Sequence, residues 1–535
     1  SGETQAMLGL KTAQATPADL VKAVLRMKAD LLWFGGIGTY VKASGQNNAE
    51  VGDRANDTVR VDAGELQVRV IGEGANLAMT QAGRIAFAQM GGRVNTDAID
   101  NSAGVDTSDH EVNIKILLDA CVAKGRLTAY RRDKLLQSMT DDVAALVLRD
   151  NQLQTLSLSM AETQGAELLD GQIRLIRHLE RIGQLKRKLA GLPSDEELAE
   201  RQAKGLGLSR PELAELLAHG KIWLKDELLK SKLPDEKSLS PELLGCFPAP
   251  LRKSYPDAIF KHPLKRELLA THVVNSLVNR LGPSFAIQLM ERTNCTATDA
   301  ASAYLVVRDA FGLRGLWDEV GSHPSLPAGA QYAMLAEINR LAERVAAGLL
   351  QKGVPPDLAR DGKRLGDAAR HLAPILPRLV DEEAQRPMAE RVKSFVALGA
   401  PEPLASRVAN LILMAAVLDV AAAALQARKK PEPVAKAYFE VGARFHLGSF
   451  KRIAESLSGG NHWQRLARFA VIEELHQCQR DLTVEALKAG GFQKWLAANA
   501  KQVAKLDLLI GEVRGAEPIE LAALALVVRQ LRGML

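Results

Sequence analysis

Three short stretches concentrate residue types that could hold a small polar molecule: WFGGIGTYV (Trp33 to Val41), GEGAN (Gly72 to Asn76) and DNSAGVDTSDHE (Asp100 to Glu111). Each follows an apolar run. Glycine lets backbone pass close to a ligand or a neighbouring strand, and an asparagine carboxamide carries a donor and an acceptor together. Gly36, Gly72, Gly74, Asn76 and Asn101 are therefore the candidates for ligand contact. Ser108 stands three residues before Glu111, the spacing of a capping box, with Val112, Ile114, Ile116, Leu117 and Leu118 behind it. That spacing predicts a helix starting at Ser108. Its free N–H groups and positive partial charge would seat a carboxylate.

Other chemistries fit the same residues less well. WFGGIGTYV contains GxG, but Val41 stands where a dinucleotide fingerprint places its third glycine. Asp97, Asp100, Asp106, Asp109 and His110 invite a divalent metal, yet they lack EF-hand spacing and two of them suit turn or helix-start positions, so no metal is expected. Ser108 beside His110 lacks a nucleophile elbow. His262 and His272 lie ten residues apart, nearly three helical turns, too far to share one metal. With Arg266 and Glu267 they read as packing at a helix start. Cys121, Cys246, Cys295 and Cys478 are scattered, which suggests neither a zinc site nor a disulfide framework and fits a reducing, cytoplasmic setting.

The elements that would position these residues fall into two regimes. Up to about residue 125, ADLLWFGG and LQVRVIGEG read as buried strands, and TQAGRIAFAQMGG between LQVRVIGEG and GRVNTDAID reads as a helix capped by Thr80 and stopped by Gly91-Gly92. Strand, helix, strand predicts a βαβ unit and a parallel, doubly wound sheet. Beyond that point helical periodicity dominates. In GQIRLIRHLERIGQLKRKLAGLP, apolar residues recur every three or four positions from Ile173 to Leu189, with Gly191 and Pro193 as the stop. Ser209, Pro211 and Glu212 mark another helix start. The Pro-rich stretch 233–258, GAPEPL and RKKPEPV read as linkers.

A chain of 535 residues implies several domains. Its net charge of +6 and the lack of a long basic block argue against nucleic acid. Val408 to Ala427 approaches spanning length, but Asn410 and Asp419 interrupt it, and a buried bundle helix is the expectation; no membrane segment and no secretory leader are expected.

At DLLWFGGIGTYVKAS, VGDRAND, VIGEGANLAMTQAGRIAFA and GGRVNTDAIDNSAGVDTSDHEVNIKILL, the sequence resembles the large NAD-dependent glutamate dehydrogenases of bacteria. LPSDEELAERQAKGLGLSRPELAELLAHGKIWL and HPLKRELLATHVVNSLVNRLGPSFA resemble that family's C-terminal helical region. The resemblance implies oxidative deamination of L-glutamate to 2-oxoglutarate and ammonia with NAD as hydride acceptor. It implies that Asn76 and Asn101 line the nicotinamide and its ribose, that Gly36, Gly72 and Gly74 are close-approach positions, and that Ser108 reaches the substrate's side-chain carboxylate. Asp106 and Asp109 receive no role. No catalytic residue is expected here, because the family's catalytic lysine and aspartate would lie upstream, and the chain alone is expected to be inactive.

The fold class expected is α/β plus all-α: the terminal part of a Rossmann-like doubly wound parallel sheet with closing helices over residues 1–165, then a helical domain over 166–535, subdivided near 233–258 and 400–432. A homo-oligomer is expected. The competing reading makes the helical region an oligomerisation or regulatory scaffold beside a partial ligand-binding half-domain.

Overall fold

The computed structural model describes residues 2–10, 14–351, 353–457 and 462–535. The chain divides into two compact units, Ser1–Gln288 and Leu289–Leu535.

In the first unit, β1 (Ala29–Phe34), β4 (Val68–Glu73) and β5 (Arg93–Val94) form a three-stranded parallel sheet in the order β1-β4-β5; β2 (Val41–Lys42) and β3 (Val61–Asp62) form a separate parallel pair. Leu31 pairs with Val70 and Trp33 with Gly72, while Ile71 pairs with Val94. Side chains alternate across a strand. Phe34, Ile71 and Val94 accordingly join Phe87 of the Gln81–Gln89 helix and Leu25 in one core, whereas Leu31, Trp33 and Val70 stay exposed on the other face. The helix between β4 and β5 begins as its sequence predicts. Thr80 Oγ1 accepts a hydrogen bond from Gly83 N at 3.0 Å, and the chain turns away through Gly91, whose φ of 90° is readily available to glycine.

The βαβ segment is present, but the Rossmann-like doubly wound sheet is not. The chain is 73% helical with only 4% strand. The order β1-β4-β5 advances one way across the sheet without reversing, so among the described residues there is no switch point where winding changes direction. The apolar runs that read as strands are too brief to build more. β5 holds only two residues, because Gly91-Gly92 precede it and the chain passes two residues later into the short Asp97–Asp100 helix.

Several helix boundaries also differ from the periodicity. The Ala166–Arg181 helix stops well before Leu189, because Gly183 adopts a φ of 76° and the chain leaves the helix there. The Pro-rich stretch 233–258 is no linker. It folds into short helical turns, among them Ser240–Gly245 and Ala249–Ser254, that bury Leu239, Leu243, Phe247 and Leu251. GAPEPL and RKKPEPV likewise lead directly into helices at Glu402 and Pro431, where a proline without an N–H fits a first turn. Ser209 and Glu212 do form the predicted capping box, with Ser209 N donating to Glu212 Oε2 at 2.6 Å.

The second unit is a helical assembly, with one core built on Phe445, Phe450, Leu475, Leu482, Leu506 and Leu531. The apolar stretch 408–427 is broken into Glu402–Ala409, Leu411–Met414 and Ala416–Ala427, with a 42° bend ahead of Ala416. Among the described residues no single helix is long and apolar enough to cross a membrane, although this bent pair meets the length and composition. Asp419 within it is buried and ion-paired to Arg480 and hydrogen-bonded to His476, as suits the interior of a helical bundle.

Candidate functional site

WFGGIGTYV and GEGAN follow the carboxyl ends of the parallel strands β1 and β4, where ligands bind in α/β sheets, whereas the third stretch is helical from Ser102 onward, with Asn101 at the junction of two helices. After β1, Phe34 O accepts a hydrogen bond from Ala75 N at 3.0 Å, which ties the first turn to the second. Asn101 Nδ2 donates to Asn76 Oδ1 at 2.9 Å. The sequence singled out both asparagines, and the fold brings them together. Their mutual bond leaves Asn76 Nδ2 as a donor and Asn101 Oδ1 as an acceptor.

Acids from the following turn fix the GEGAN backbone. Asp100 Oδ2 accepts from Glu73 N at 2.9 Å, and its Oδ1 accepts from Asn95 Nδ2 at 2.6 Å. Asp97 Oδ2 accepts from Leu77 N at 2.8 Å, holding Leu77 at a φ of 64° that non-glycine residues seldom adopt. Asp97 and Asp100, considered for a metal, are thus each shared between a backbone N–H and a side chain, Arg84 for Asp97 and Asn95 for Asp100. Beneath them Glu73 and Arg84 form a buried bidentate pair, with Nε to Oε1 at 2.6 Å and Nη2 to Oε2 at 2.9 Å. Burial raises the Glu73 pKa, with the Arg84 guanidinium pulling the other way.

Gly72 and Gly74 owe their lack of a side chain to a neighbour inside the chain. A Cβ at Gly72 would lie 2.4 Å from Trp33 Cε3, and one at Gly74 would lie 2.5 Å from Trp33 Cζ2. The Trp33 indole therefore lies against the end of β4. Gly36 is exposed, with open space around it.

Ser108 is not a helix cap. The helix starts at Ser102 with Asn101 as its N-cap residue, so Ser108 is exposed in the second turn, where its N–H is no longer free. The alternative start wins because Asn151 of the Thr140–Gln164 helix donates to Ile99 O and to Ser102 Oγ, both at 2.9 Å, and pins the earlier turn. Gly104 makes room for the Asn101 carboxamide, since a Cβ there would lie 2.7 Å from Asn101 Oδ1.

One turn further on, Asp106, His110 and Asp150 place their ligand-type atoms within 4.8 Å of one another. Burial, reinforced by the Asp150 charge, lifts the Asp106 pKa to about 6, against the pull of His110 and Lys221. Burial likewise brings the Lys221 ammonium down to about 8, opposed by Asp150 and Asp106. Sequence reasoning named Asp106 and His110 but missed Asp150 and Lys221, which come from helices distant in sequence and carry no local signal. His262 and His272 part company. His262 Nε2 bonds Asn113 O at 3.1 Å, and His272 Nε2 lies 3.1 Å from Glu242 Oε2.

Comparison with known proteins assigns the chain to a family. Residues 1–161 match the model of the bacterial NAD-glutamate dehydrogenase catalytic domain, and residues 205–533 match the C-terminal glutamate dehydrogenase model. The chain belongs to the bacterial NAD-glutamate dehydrogenase family. The NAD-specific glutamate dehydrogenase of Pseudomonas aeruginosa is 39% identical over 99% of the chain, that of Halomonas elongata 38% over 98%, and that of Mycobacterium tuberculosis 35% over 100%. The alignments cover 33%, 33% and 34% of those proteins, so the chain spans about a third of their length. All the turn residues described above fall inside the part matched by the catalytic-domain model of this glutamate dehydrogenase family.

Proposed function

We propose that this chain forms one wall of the active site of an NAD-dependent glutamate dehydrogenase, which converts L-glutamate to 2-oxoglutarate and ammonia. The observation that carries the reading is the Asn76–Asn101 hydrogen bond at the strand ends, inside the part matched by the catalytic-domain model. NAD, when bound, supplies the hydride acceptor. The fit rests on Asn76 Nδ2 and Asn101 Oδ1, which offer a donor and an acceptor side by side to the nicotinamide and its ribose. Gly36 and Gly74 lie in the turns beside them and Gly72 in the last residues of β4, with Trp33 held against Gly72 and Gly74. Ser108 projects from an exposed helix turn and is assigned to the substrate's side-chain carboxylate through its match to the family turn rather than through helix-start chemistry. The acids Asp97 and Asp100 position the wall by bonding its backbone. We place the end of this catalytic part near residue 165, close to the end of the catalytic-domain match at 161.

The test uses the whole parent protein. Replacing Asn76, Asn101 or Ser108 by Ala is expected to lower glutamate-dependent NAD reduction, with the Asn variants raising the KM for NAD and the Ser variant raising the KM for glutamate. Unchanged kinetics in all three folded variants would reject the assignment.

A further inference from the structure

The second unit contains a cavity of about 1090 Å3 bordered by the Ala328–Leu350, Glu382–Ala397, Pro431–Arg444, Leu447–Ser456 and His462–Lys488 helices. Lys451 lies on its wall and is only 9% exposed. An ammonium has three N–H groups to satisfy. Lys451 Nζ donates to Gln479 Oε1 at 2.6 Å, stands 5.9 Å from the Tyr438 ring centroid, and lies 3.1 Å from His476 Nδ1.

That last contact cannot be an acceptor. Arg344 Nε, 3.2 Å from His476 Nε2, can only donate, so Nε2 must accept. Burial, with the charges of Arg344 and Lys451, holds the His476 pKa well below its ordinary value, so the ring is neutral. Its single proton then sits on Nδ1 and is donated to Asp419 Oδ2 at 3.1 Å. Two of the surrounding acids are committed elsewhere, and Glu455, one turn along the same helix, makes no hydrogen bond to Lys451 among the described residues. Asp419 also accepts from Tyr438 Oη and Arg480 Nη1, both at 3.1 Å, and Glu473 accepts from Arg344. Among the described residues Lys451 is left with one acceptor for three donors, beside a cavity whose walls also carry Leu341, Ile412, Phe439 and Leu466.

We propose that this cavity binds a small amphiphilic organic acid, with a single carboxylate meeting Lys451 Nζ and an apolar body lying along Leu341, Ile412, Phe439 and Leu466. A single carboxylate answers the single charge of Lys451. A dianion such as phosphate would in addition meet Glu343 and Glu455, which line the same space.

The pH dependence follows from the groups facing Lys451: Arg344, Asp419, Tyr438, Glu473 and His476 from the neighbouring helices, and Glu455 on its own. Burial lowers the Lys451 ammonium to about 7, with Asp419 opposing and Arg344 assisting. A bound carboxylate favours the protonated form. Above pH 7 binding therefore takes up a proton, and affinity falls about tenfold per pH unit.

Isothermal titration calorimetry on the full chain, in buffers of differing ionisation heat, tests this with hexanoate, acetate, hexylamine and inorganic phosphate. Hexanoate is expected to bind saturably with proton uptake between pH 7 and 9. Acetate, lacking four methylenes, should bind roughly a hundredfold more weakly. Lys451→Met should weaken hexanoate binding at least tenfold and remove its pH dependence. The pH series on the unaltered chain decides between the outcomes even if that variant fails to fold. Absence of saturable hexanoate binding, pH-independent binding, or equal or tighter binding of hexylamine or phosphate would overturn the proposal.

Discussion

Removing Arg84 should cost far more than its position away from the exposed turns suggests. In Arg84→Leu the Glu73 carboxylate, fully buried at the end of β4, keeps only the 3.2 Å bond from Met79 N. Breaking a buried pair from one side costs about 3–5 kcal/mol, because a charge is stranded in a low-dielectric interior. At 1.36 kcal/mol per tenfold change, that is a fall of about two to four orders of magnitude in the protection of β4 amides. Hydrogen exchange read by mass spectrometry over residues 66–80 measures it locally, which suits a chain of two units whose global unfolding need not be two-state. The sign with pH is also fixed. Burial raises the folded Glu73 pKa, and losing Arg84 raises it further, so the carboxyl keeps its proton in the fold at pH values where the unfolded chain has released it. The variant is therefore least destabilised below the unfolded value near 4.3 and loses stability as pH rises through the folded value. Glu73→Leu/Arg84→Leu should recover part of the loss, since no charge is then stranded at position 73, although Asp97 still loses its 3.2 Å ion pair with Arg84 Nη2. A loss below about 1 kcal/mol in Arg84→Leu, or a double variant worse than the single one, would refute the reasoning.

Two further outcomes follow from equally local geometry. Gly72→Ala sets a Cβ 2.4 Å from Trp33 Cε3 and should cost about 1–3 kcal/mol in β1–β4 exchange protection; in a Trp33→Ala background the penalty should vanish, and a penalty that persists would show that the indole is not its cause. For Asp419, burial works to raise the pKa, but the hydrogen bond from His476 and the charges of Arg344 and Lys451 outweigh it and leave the carboxyl below its ordinary value. Its contribution is present above the unfolded value near 4 and lost as pH falls below it, so the second unit should weaken in acid below about pH 4 and Asp419→Asn should flatten that limb; an unchanged acid limb in a folded variant would count against it.

The sequence was most legible where local rules act alone. Thr80 and the Ser209–Glu212 box start their helices as spacing predicts, and the apolar runs ending at Phe34 and Glu73 are parallel strands. It was least legible where a distant partner decides. Ser108 and Glu111 carry a capping signature, yet Asn151, about fifty residues on, secures a start at Ser102 instead. The Pro-rich stretch 233–258 has linker composition, but Leu239, Leu243, Phe247 and Leu251 give it apolar residues to bury, and burial wins. Sheet size was overread for a related reason. Apolar runs show that strands form, not how many neighbours they find, and a two-residue β5 cannot extend a doubly wound sheet.

The same logic separates the candidate ligand-facing residues of the proposed site from those that hold its backbone in shape. Asn76 and Asn101 present carboxamide atoms outward, whereas Asp97, Asp100 and Glu73 spend their oxygens on Leu77 N, Glu73 N, Met79 N and Arg84. Arg210 then ties the wall to the helices behind it. Its Nε donates to Asn95 Oδ1 at 2.5 Å, and its Nη1 lies 3.1 Å from both Ser159 Oγ and Glu162 Oε2. A guanidinium can make this three-way junction because its planar fork keeps several donors at fixed angles, which a lysine cannot reproduce. The helices after residue 125 are therefore part of what positions the candidate site. Since Asn95 in turn donates to Asp100, displacement of the Arg210–Glu212 end of its helix would reach the Glu73 backbone through three hydrogen bonds.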